Sequence, residues 1–299
     1  MKKLVLFFIT LLMLIEAAGV KAQEAYAVLN GSTLTFYYDS KKSSRSGTKY
    51  PMNNENYAPN WSQDTSIKTV VFDSSFKNAR PKSTRSWFYN LTGLTTITGI
   101  GNLNTSSVTT MWMMFYNCPL SAIDVSGFNT ANVTTMGYMF YGCSNLKEVD
   151  VSGFNTSKVN NMDAMFFKCT SLTSLDISNF TLTSKQVTTD MMYKAGLKTL
   201  TVPATANVLD KEACGGVGTK SAPCLLNFPS GFTPEKTNTG SGWYQWKSGY
   251  FKDGTPTGID NPVADGLSKE GEWYNLQGQR IASPHHGIYI RNGKKYMVK

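Results

Sequence analysis

Hydrophobic and polar residues follow a repeating pattern through the middle of this chain, and each repeat contains two different periodicities. The stretch Val149-Asp150-Val151-Ser152 alternates apolar and polar residues, which predicts a short strand with one buried face. A polar turn follows, and after it five apolar residues stand at offsets of 0, 3, 6, 7 and 10, namely Val159, Met162, Met165, Phe166 and Cys169. Those offsets place all five on one face of a helix. Each repeat is therefore predicted to contain one short strand and one short helix or helical turn.

The pattern recurs with a period of about 26 residues. Phe128, Phe154 and Phe180 lie 26 residues apart, and Cys143 and Cys169 have the same separation. A fixed period in the twenties is typical of solenoids, in which each coil buries its apolar edge against its neighbours. Strands are predicted at six places, centred on Val70, Ile97, Ile123, Val149, Leu175 and Leu200. The expected fold is an α/β repeat solenoid.

The five cysteines divide into two groups. Cys118, Cys143 and Cys169 occupy one repeat position, where the flanking coils carry Leu and Ala. A position that accepts Leu and Ala is a packing position, so these three are expected to be buried thiols rather than disulfide partners. Cys214 and Cys224 bracket a glycine-rich loop, and they are the pair expected to form a disulfide.

The N-terminus predicts a secreted protein. Residues 1–22 combine a basic start, an apolar run over Leu4–Ile15 and a small-x-small cleavage site at Val20–Ala22, which is typical of a secretory signal peptide. No later apolar stretch is long enough to span a bilayer, so no transmembrane segment is expected in the mature chain. The formal net charge of +9 is spread along the chain. A nucleic-acid site usually concentrates basic residues on one face, so nucleic acid is not an expected partner.

The order of the patterns suggests five units after the signal peptide. Residues 23–63 form an N-terminal cap built on a β-hairpin, because Asn30-Gly31 separates two alternating runs. Residues 64–203 form the solenoid, and residues 204–252 form a C-terminal cap that contains the Cys214/Cys224 loop. A linker rich in glycine and proline covers residues 253–271. Residues 272–299 alternate in short runs and predict a small β-module.

Residues suited to catalysis are scarce. The only histidines, His285 and His286, are adjacent in a predicted turn, and no cysteine or carboxylate stands at ligand spacing from them. A Ser-His-Asp arrangement has no other histidine available as a base. We therefore expect no catalytic residues, no metal and no cofactor, and the protein is expected not to be an enzyme.

The candidate binding site is the exposed face of the predicted strands. Asp124, Asp150 and Asp176 stand between inward-facing residues of consecutive strands, so they are expected to point outward in a column. The same face is expected to carry Ser126, Ser152, Ser178 and Glu148. Like charges this close repel, which favours a cation or a basic partner. The alternative interpretation is that hydrated aspartates only keep an exposed sheet soluble.

A second candidate lies in the aromatic cluster near residue 243. Trp243, Tyr244 and Trp246 could form a stacking platform for a glycan. The alternative, which is commoner for such aromatics, is that they plug the end of the solenoid core.

The repeat resembles a known family. The pattern L-x-x-V-D-V-S-x-F-N-T-x-x-V-x-x-M-x-x-M-F-x-x-C over residues 146–169 is similar to the BspA-like leucine-rich repeat surface proteins of anaerobic bacteria, and the likeness covers roughly residues 64–203. It implies a leucine-rich repeat solenoid on the bacterial outer surface, whose strand face binds host extracellular or cell-surface proteins or glycans. The motifs Y-x-L-x-G-x-R, G-I-Y and G-K-K after residue 272 resemble the C-terminal sorting modules of type IX secretion.

Overall fold

The computed structural model describes residues 21–52 and 57–254, together with the backbone of four C-terminal strands, and it shows a β-solenoid of about seven turns. No α-helix occurs in these residues. The helical content consists of short 3₁₀ segments at Lys42–Ser44, Ser74–Asn78, Ile100–Asn102 and Ala206–Val208. The predicted α/β leucine-rich repeat architecture is therefore wrong, because turns take the place of the expected helices.

Several predictions concern residues that lie outside the described part of the chain. These are the signal peptide over 1–22, apart from its last two residues, and most of the linker over 253–271. His285 and His286 also lie outside it. In the C-terminal module, the described backbone forms a four-stranded antiparallel sheet.

Five strands form a sheet at the N-terminal end of the solenoid. They are β1 (Glu24–Asn30), β2 (Thr33–Asp39), β3 (Thr48–Pro51), β4 (Thr69–Phe72) and β5 (Thr96–Thr98), in the order β3-β1-β2-β4-β5. β1 and β2 form the expected hairpin, and Gly31 and Ser32 make its turn. β2 then pairs in parallel with β4, and β4 with β5. The hairpin therefore covers the open edge of the first coil.

Six strands form a second sheet at the other end. They are β6 (Ser174–Asp176), β7 (Thr199–Thr201), β8 (Cys224–Asn227), β9 (Thr237–Gly240), β10 (Trp243–Trp246) and β11 (Gly249–Asp253), in the order β6-β7-β8-β11-β10-β9. Of the five isolated bridges in the described residues, the one from Ala122 to Glu148 stands where strands at Ile123 and Val149 were expected.

The C-terminal sheet is formed by four further strands. They are β12 (Trp273–Tyr274), β13 (Arg280–Ile281), β14 (Gly287–Arg291) and β15 (Lys294–Val298). Their order is β13-β12-β14-β15, and all three pairings are antiparallel.

The expected helix is replaced in each coil by a series of turns, which we call the tandem-turn segment; these segments cover residues 84–91, 111–118, 136–143, 162–169 and 188–195. In the second of them, the N–H groups of Met113 and Phe115 donate to the carbonyls of Gly137 and Met139 in the next coil, at 3.0 and 2.8 Å. The intervening N–H of Met114 donates back to Met111 of its own coil at 3.2 Å. Alternate N–H groups thus bond between coils and within them, whereas an α-helix directs all of them along its own axis.

This geometry requires left-handed backbone at two positions of each segment, four residues apart. The residues concerned are Ser86 and Asn90, Met113 and Asn117, Tyr138 and Gly142, Ala164 and Lys168, and Asp190 and Lys194. Left-handed backbone costs about 1–2 kcal/mol for a residue other than glycine. Each backbone hydrogen bond to the next coil contributes about 0.5–1.5 kcal/mol net. The two effects are of similar size, so a segment is stable only when a neighbouring coil accepts its hydrogen bonds.

The inward columns expected from the sequence are confirmed. Val133, Met136, Met139, Phe140 and Cys143 are fully buried, as are their counterparts in the adjacent coils. The rings of Phe88, Phe115, Phe140 and Phe166 form a continuous column, with neighbouring centroids 5.2–5.5 Å apart. The thiols of Cys118, Cys143 and Cys169 donate to backbone carbonyls of the preceding coil at 3.0–3.1 Å. These cysteines are therefore free packing residues.

We predict that Gly142→Ala destabilises the solenoid and that Gly127→Ala does not. Gly142 has φ +69°, and an added Cβ would collide with the side chain of Asn117 in the neighbouring coil. Around Gly127 a Cβ would meet no atom within 4 Å. Urea unfolding followed by tryptophan fluorescence should show a loss of about 1–2 kcal/mol for Gly142→Ala and a change within about 0.5 kcal/mol for Gly127→Ala. Equal effects of the two substitutions would show that the left-handed backbone at Gly142 does not affect the free energy of unfolding.

Candidate binding surfaces

The predicted strand-face residues lie on the surface. Asp124, Asp150 and Asp176 are all exposed, as are Ser126, Ser152, Ser178 and Glu148. The bridge between Ala122 and Glu148 sets the register that places Asp124 beside Asp150 in the next coil. Parallel neighbours in such a register are about 4.8 Å apart. We call the three aspartates the carboxylate column.

Each aspartate of the carboxylate column also closes a local turn. One carboxylate oxygen of Asp124 accepts hydrogen bonds from the N–H and the hydroxyl of Ser126, at 3.1 and 2.7 Å. The corresponding oxygens of Asp150 and Asp176 accept from the N–H groups two residues later, each at 2.9 Å. This is an Asx turn, which orients the side chain. The second oxygen of each carboxylate has no hydrogen-bond partner among the described residues, and all three side chains are exposed.

A column of half-buried aromatic rings crosses the tandem-turn segments, and the predicted helices do not account for it. Its members, which we call the aromatic ladder, are Tyr89, Tyr116, Tyr141, Phe167 and Tyr193. Neighbouring centroids are 4.4–5.0 Å apart, and the planes of the last four rings are inclined by 16° or less. Each ring directly follows a pair of buried apolar residues, which is Met-Phe in three segments, Trp87-Phe88 in the first and Met191-Met192 in the last. An aromatic residue at this recurring position is the signal that could have revealed the ladder. Because the rings cover one another's faces, the ladder presents mainly edges and hydroxyls to solvent.

Acidic side chains gather beside the C-terminal half of the aromatic ladder. The hydroxyl of Tyr138 donates to Asp163 at 2.8 Å, and this hydrogen bond together with burial raises the pKa of Tyr138 to about 12. Burial and the nearby charges of Asp163, Glu212 and Asp210 raise the pKa of Asp190. The ion pairs found in the described part of the chain all lie elsewhere. We call Asp163, Asp190, Asp210 and Glu212 the acidic patch.

The predicted glycan platform is not assembled. Strand β10 alternates, so Tyr244 and Trp246 are buried, with 4% and 1% of their surface exposed, and Trp243 alone of the three reaches the surface. The indole N–H of Trp246 donates to Asn207 at 3.2 Å, and the hydroxyl of Tyr244 donates to Asp253 at 2.8 Å. Trp243, Tyr244 and Trp246 therefore do not share one exposed surface, because alternation along a strand sends adjacent rings to opposite sides. Tyr244 and Trp246 instead close the end of the core.

The predicted disulfide between Cys214 and Cys224 is not formed in the structure. Both residues are buried free thiols. Burial raises the pKa of Cys224 to about 12, and burial and the neighbouring thiol also raise the pKa of Cys214. A thiol reacts as the thiolate, so these two groups are protected against modification while the chain is folded.

Within the described ranges, no group of three or more His, Cys, Asp or Glu side chains is arranged to hold a metal ion. Those ranges also contain no helix long and apolar enough to cross a membrane. The geometry thus defines a repeat protein of the β-solenoid class with three surface features, the carboxylate column, the aromatic ladder and the acidic patch.

Comparison with known proteins places the similarity within the repeats. A family described as a Mycoplasma protein of unknown function, DUF285, matches residues 82–202, which is less than half of the 299-residue chain. This range begins just before the first tandem-turn segment and ends after β7. No curated protein and no solved structure matches the chain.

We predict that the thiols react only when the protein unfolds. The pKa of Cys143 is raised by burial to about 12, and those of Cys118 and Cys169 are also well above the usual value. At pH 8 a disulfide reagent such as DTNB should therefore label the folded protein very slowly, whereas in denaturant without reductant all 5 cysteines should react. If only three cysteines react in denaturant, Cys214 and Cys224 are joined by a disulfide.

Proposed function

We propose that this protein is a non-catalytic binding protein displayed on the outer surface of a bacterium. It recognises host or other cell-surface macromolecules, proteins or glycans, through the strand face of the solenoid. The observation that carries the proposal is the carboxylate column, because the same exposed group recurs in the same orientation on consecutive coils of a rigid core.

The geometry of the column favours binding over mere solubility. An exposed aspartate normally samples several rotamers, and ordering it on binding costs free energy. Here the Asx turn has already oriented Asp124, Asp150 and Asp176 through one oxygen, so the second oxygen is available without that cost. A repeated, pre-oriented acceptor suits an extended partner that carries donors at a similar spacing.

The chemistry of the column favours a basic partner. Three carboxylates at successive coil spacings repel one another, and none of them is ion-paired within the described ranges. The neighbouring exposed residues are the short polar Ser126, Ser152 and Ser178 and the acidic Glu148, which leave the carboxylates accessible. A lysine- or arginine-rich segment of a host protein would relieve the repulsion. Binding should therefore weaken as salt concentration rises.

Surface display is supported by the repeats and by the patterns at the two ends of the chain. The N-terminal pattern over 1–22 supports export, and the resemblance of the repeats to BspA-like surface proteins supports an extracellular role. The C-terminal motifs that resemble type IX sorting modules fall in a region whose described backbone is a small antiparallel sheet. These features together support attachment to the outer surface.

The test is to remove the charges of the column without breaking its turns. Asparagine also forms Asx turns, so the triple variant Asp124→Asn, Asp150→Asn, Asp176→Asn keeps the local hydrogen bonds and removes three charges. Binding to immobilised matrix and plasma proteins, measured by biolayer interferometry, should fall at least about tenfold, because charge-assisted hydrogen bonds contribute about 1.5–3 kcal/mol each.

A matched control removes the same number of charges from another surface. The variant Asp163→Asn, Asp190→Asn, Glu212→Gln neutralises three members of the acidic patch and should bind as the unmodified protein does. If the control loses binding and the carboxylate-column variant keeps it, the binding site lies on the side of the tandem-turn segments instead. No saturable binding by the unmodified protein to any matrix, plasma or cell-surface preparation would overturn the proposed function.

A further inference from the structure

A cavity of about 550 Å³ lies between the outer face of the β1–β2 hairpin and the loop that follows β2. Pockets for small-molecule ligands commonly have volumes of about 300–1,000 Å³. The hairpin contributes Val28, Asn30, Thr33, Thr35 and Tyr37 to its lining, and the loop contributes Lys41, Ser44, Arg45 and Ser46. The cavity is remote in the chain from the carboxylate column and is formed by different strands.

The lining is polar and carries positive charge. Lys41 and Arg45 are its two cations, and none of the described residues that line it is acidic. The remaining polar groups are four hydroxyls from Thr and Ser, one phenol and one side-chain amide. Hydroxyls and amides both donate and accept, so they suit the hydroxyl groups of a sugar, while the two cations suit an anionic substituent.

Arg45 is held in one position by three contacts. Its guanidinium lies over the ring of Tyr37, 3.4 Å from the centroid. Its Nε donates to the hydroxyl of Tyr26 at 2.8 Å, and its Nη2 forms an ion pair with Asp39. Nη1 has no partner among the described residues. A guanidinium fixed in this way binds an anion without losing further side-chain freedom.

Asp39 acts as the anchor of this arrangement. It accepts hydrogen bonds from the hydroxyl of Tyr26 and from the N–H of Lys41, the latter at 2.8 Å. Burial raises the pKa of Asp39, but these hydrogen bonds and Arg45 outweigh that effect, and the net shift is downward. The carboxylate therefore stays ionised and keeps Arg45 in place. Asp39 offsets one positive charge, and Lys41 supplies a second cation that forms no ion pair within the described ranges.

We infer that this cavity binds an acidic sugar residue of a glycan through its carboxylate or sulfate group. Nη1 of Arg45 and the ammonium group of Lys41 contact the anionic group, and the hydroxyls of Thr33, Thr35 and Ser44 contact the sugar ring. The volume of about 550 Å³ is large enough for a sugar ring together with its anionic group. The site is independent of the carboxylate column, so failure of either proposal leaves the other intact.

The test is isothermal titration of the full secreted chain with four probes: glucuronate, glucose 6-sulfate, glucose and inorganic sulfate. Glucuronate or glucose 6-sulfate should bind at least about tenfold more tightly than glucose, and the better of the two identifies the anionic group. Equal binding of glucose would overturn the role of the cations. Inorganic sulfate binding as tightly as the sugars would overturn the sugar assignment.

Variants separate this site from general surface charge. Arg45→Gln should abolish binding of the preferred probe, and Lys41→Gln should weaken it several-fold. Thr35→Val removes one lining hydroxyl with little change in shape and should also weaken it. Lys147→Gln, which removes an exposed lysine from a distant coil, should leave binding unchanged. Because Arg45 also braces the hairpin, the exposed Lys41 is the decisive position, and unchanged affinity of Lys41→Gln with a normal thermal midpoint would overturn the proposal.

Discussion

The hydrogen bonds between consecutive tandem-turn segments are the constraint on which the rest of this structure depends. In the first four segments every second N–H donates to a carbonyl of the next coil, and in the last segment the N–H groups of Met192 and Lys194 do so. Left-handed residues such as Met113 and Asn117 make that direction possible, and they would be unfavourable in an isolated turn. A single coil consequently has neither a complete hydrogen-bond network nor a closed core, and both are supplied by stacking. The same stacking sets the columns of thiols and phenylalanine rings inside and of carboxylates and aromatic edges outside.

The sequence was sufficient to predict the repeat, the inward columns and the N-terminal hairpin. It did not predict the turns, because apolar offsets of 0, 3, 6, 7 and 10 fit the inward side of a tandem-turn segment as well as a helical face. Asn90, Asn117 and Gly142 at one recurring position were a signal for left-handed backbone. Lys168 and Lys194 at the same position carry no such signal, since lysine is an ordinary helix residue.

The apolar and polar pattern of the sequence predicts some of the surface features and not others. Alternation correctly placed Asp124, Asp150 and Asp176 outside, and the same rule applied to residues 243–246 would have separated Trp243 from Trp246. The aromatic ladder depends on the register of the turns, whereas the apolar spacing of these segments predicts helices. The cavity beside Arg45 depends on a loop that folds back across the hairpin and on contacts to Tyr26 and Tyr37, and no local periodicity predicts such contacts.

The order of strands in the N-terminal sheet has a consequence for how the chain is built. The hairpin that covers the first coil is also the first part of the described chain to leave the ribosome, and its second strand, β2, is the parallel template for β4. Each internal coil forms its main-chain bonds with the coil made immediately before it and the coil made immediately after it, at separations of about one repeat. The coils can therefore add in chain order, one at a time. At each step only the most recently added coil still lacks a neighbour on one side. Lengthening the protein by duplicating an internal coil would leave this process unchanged.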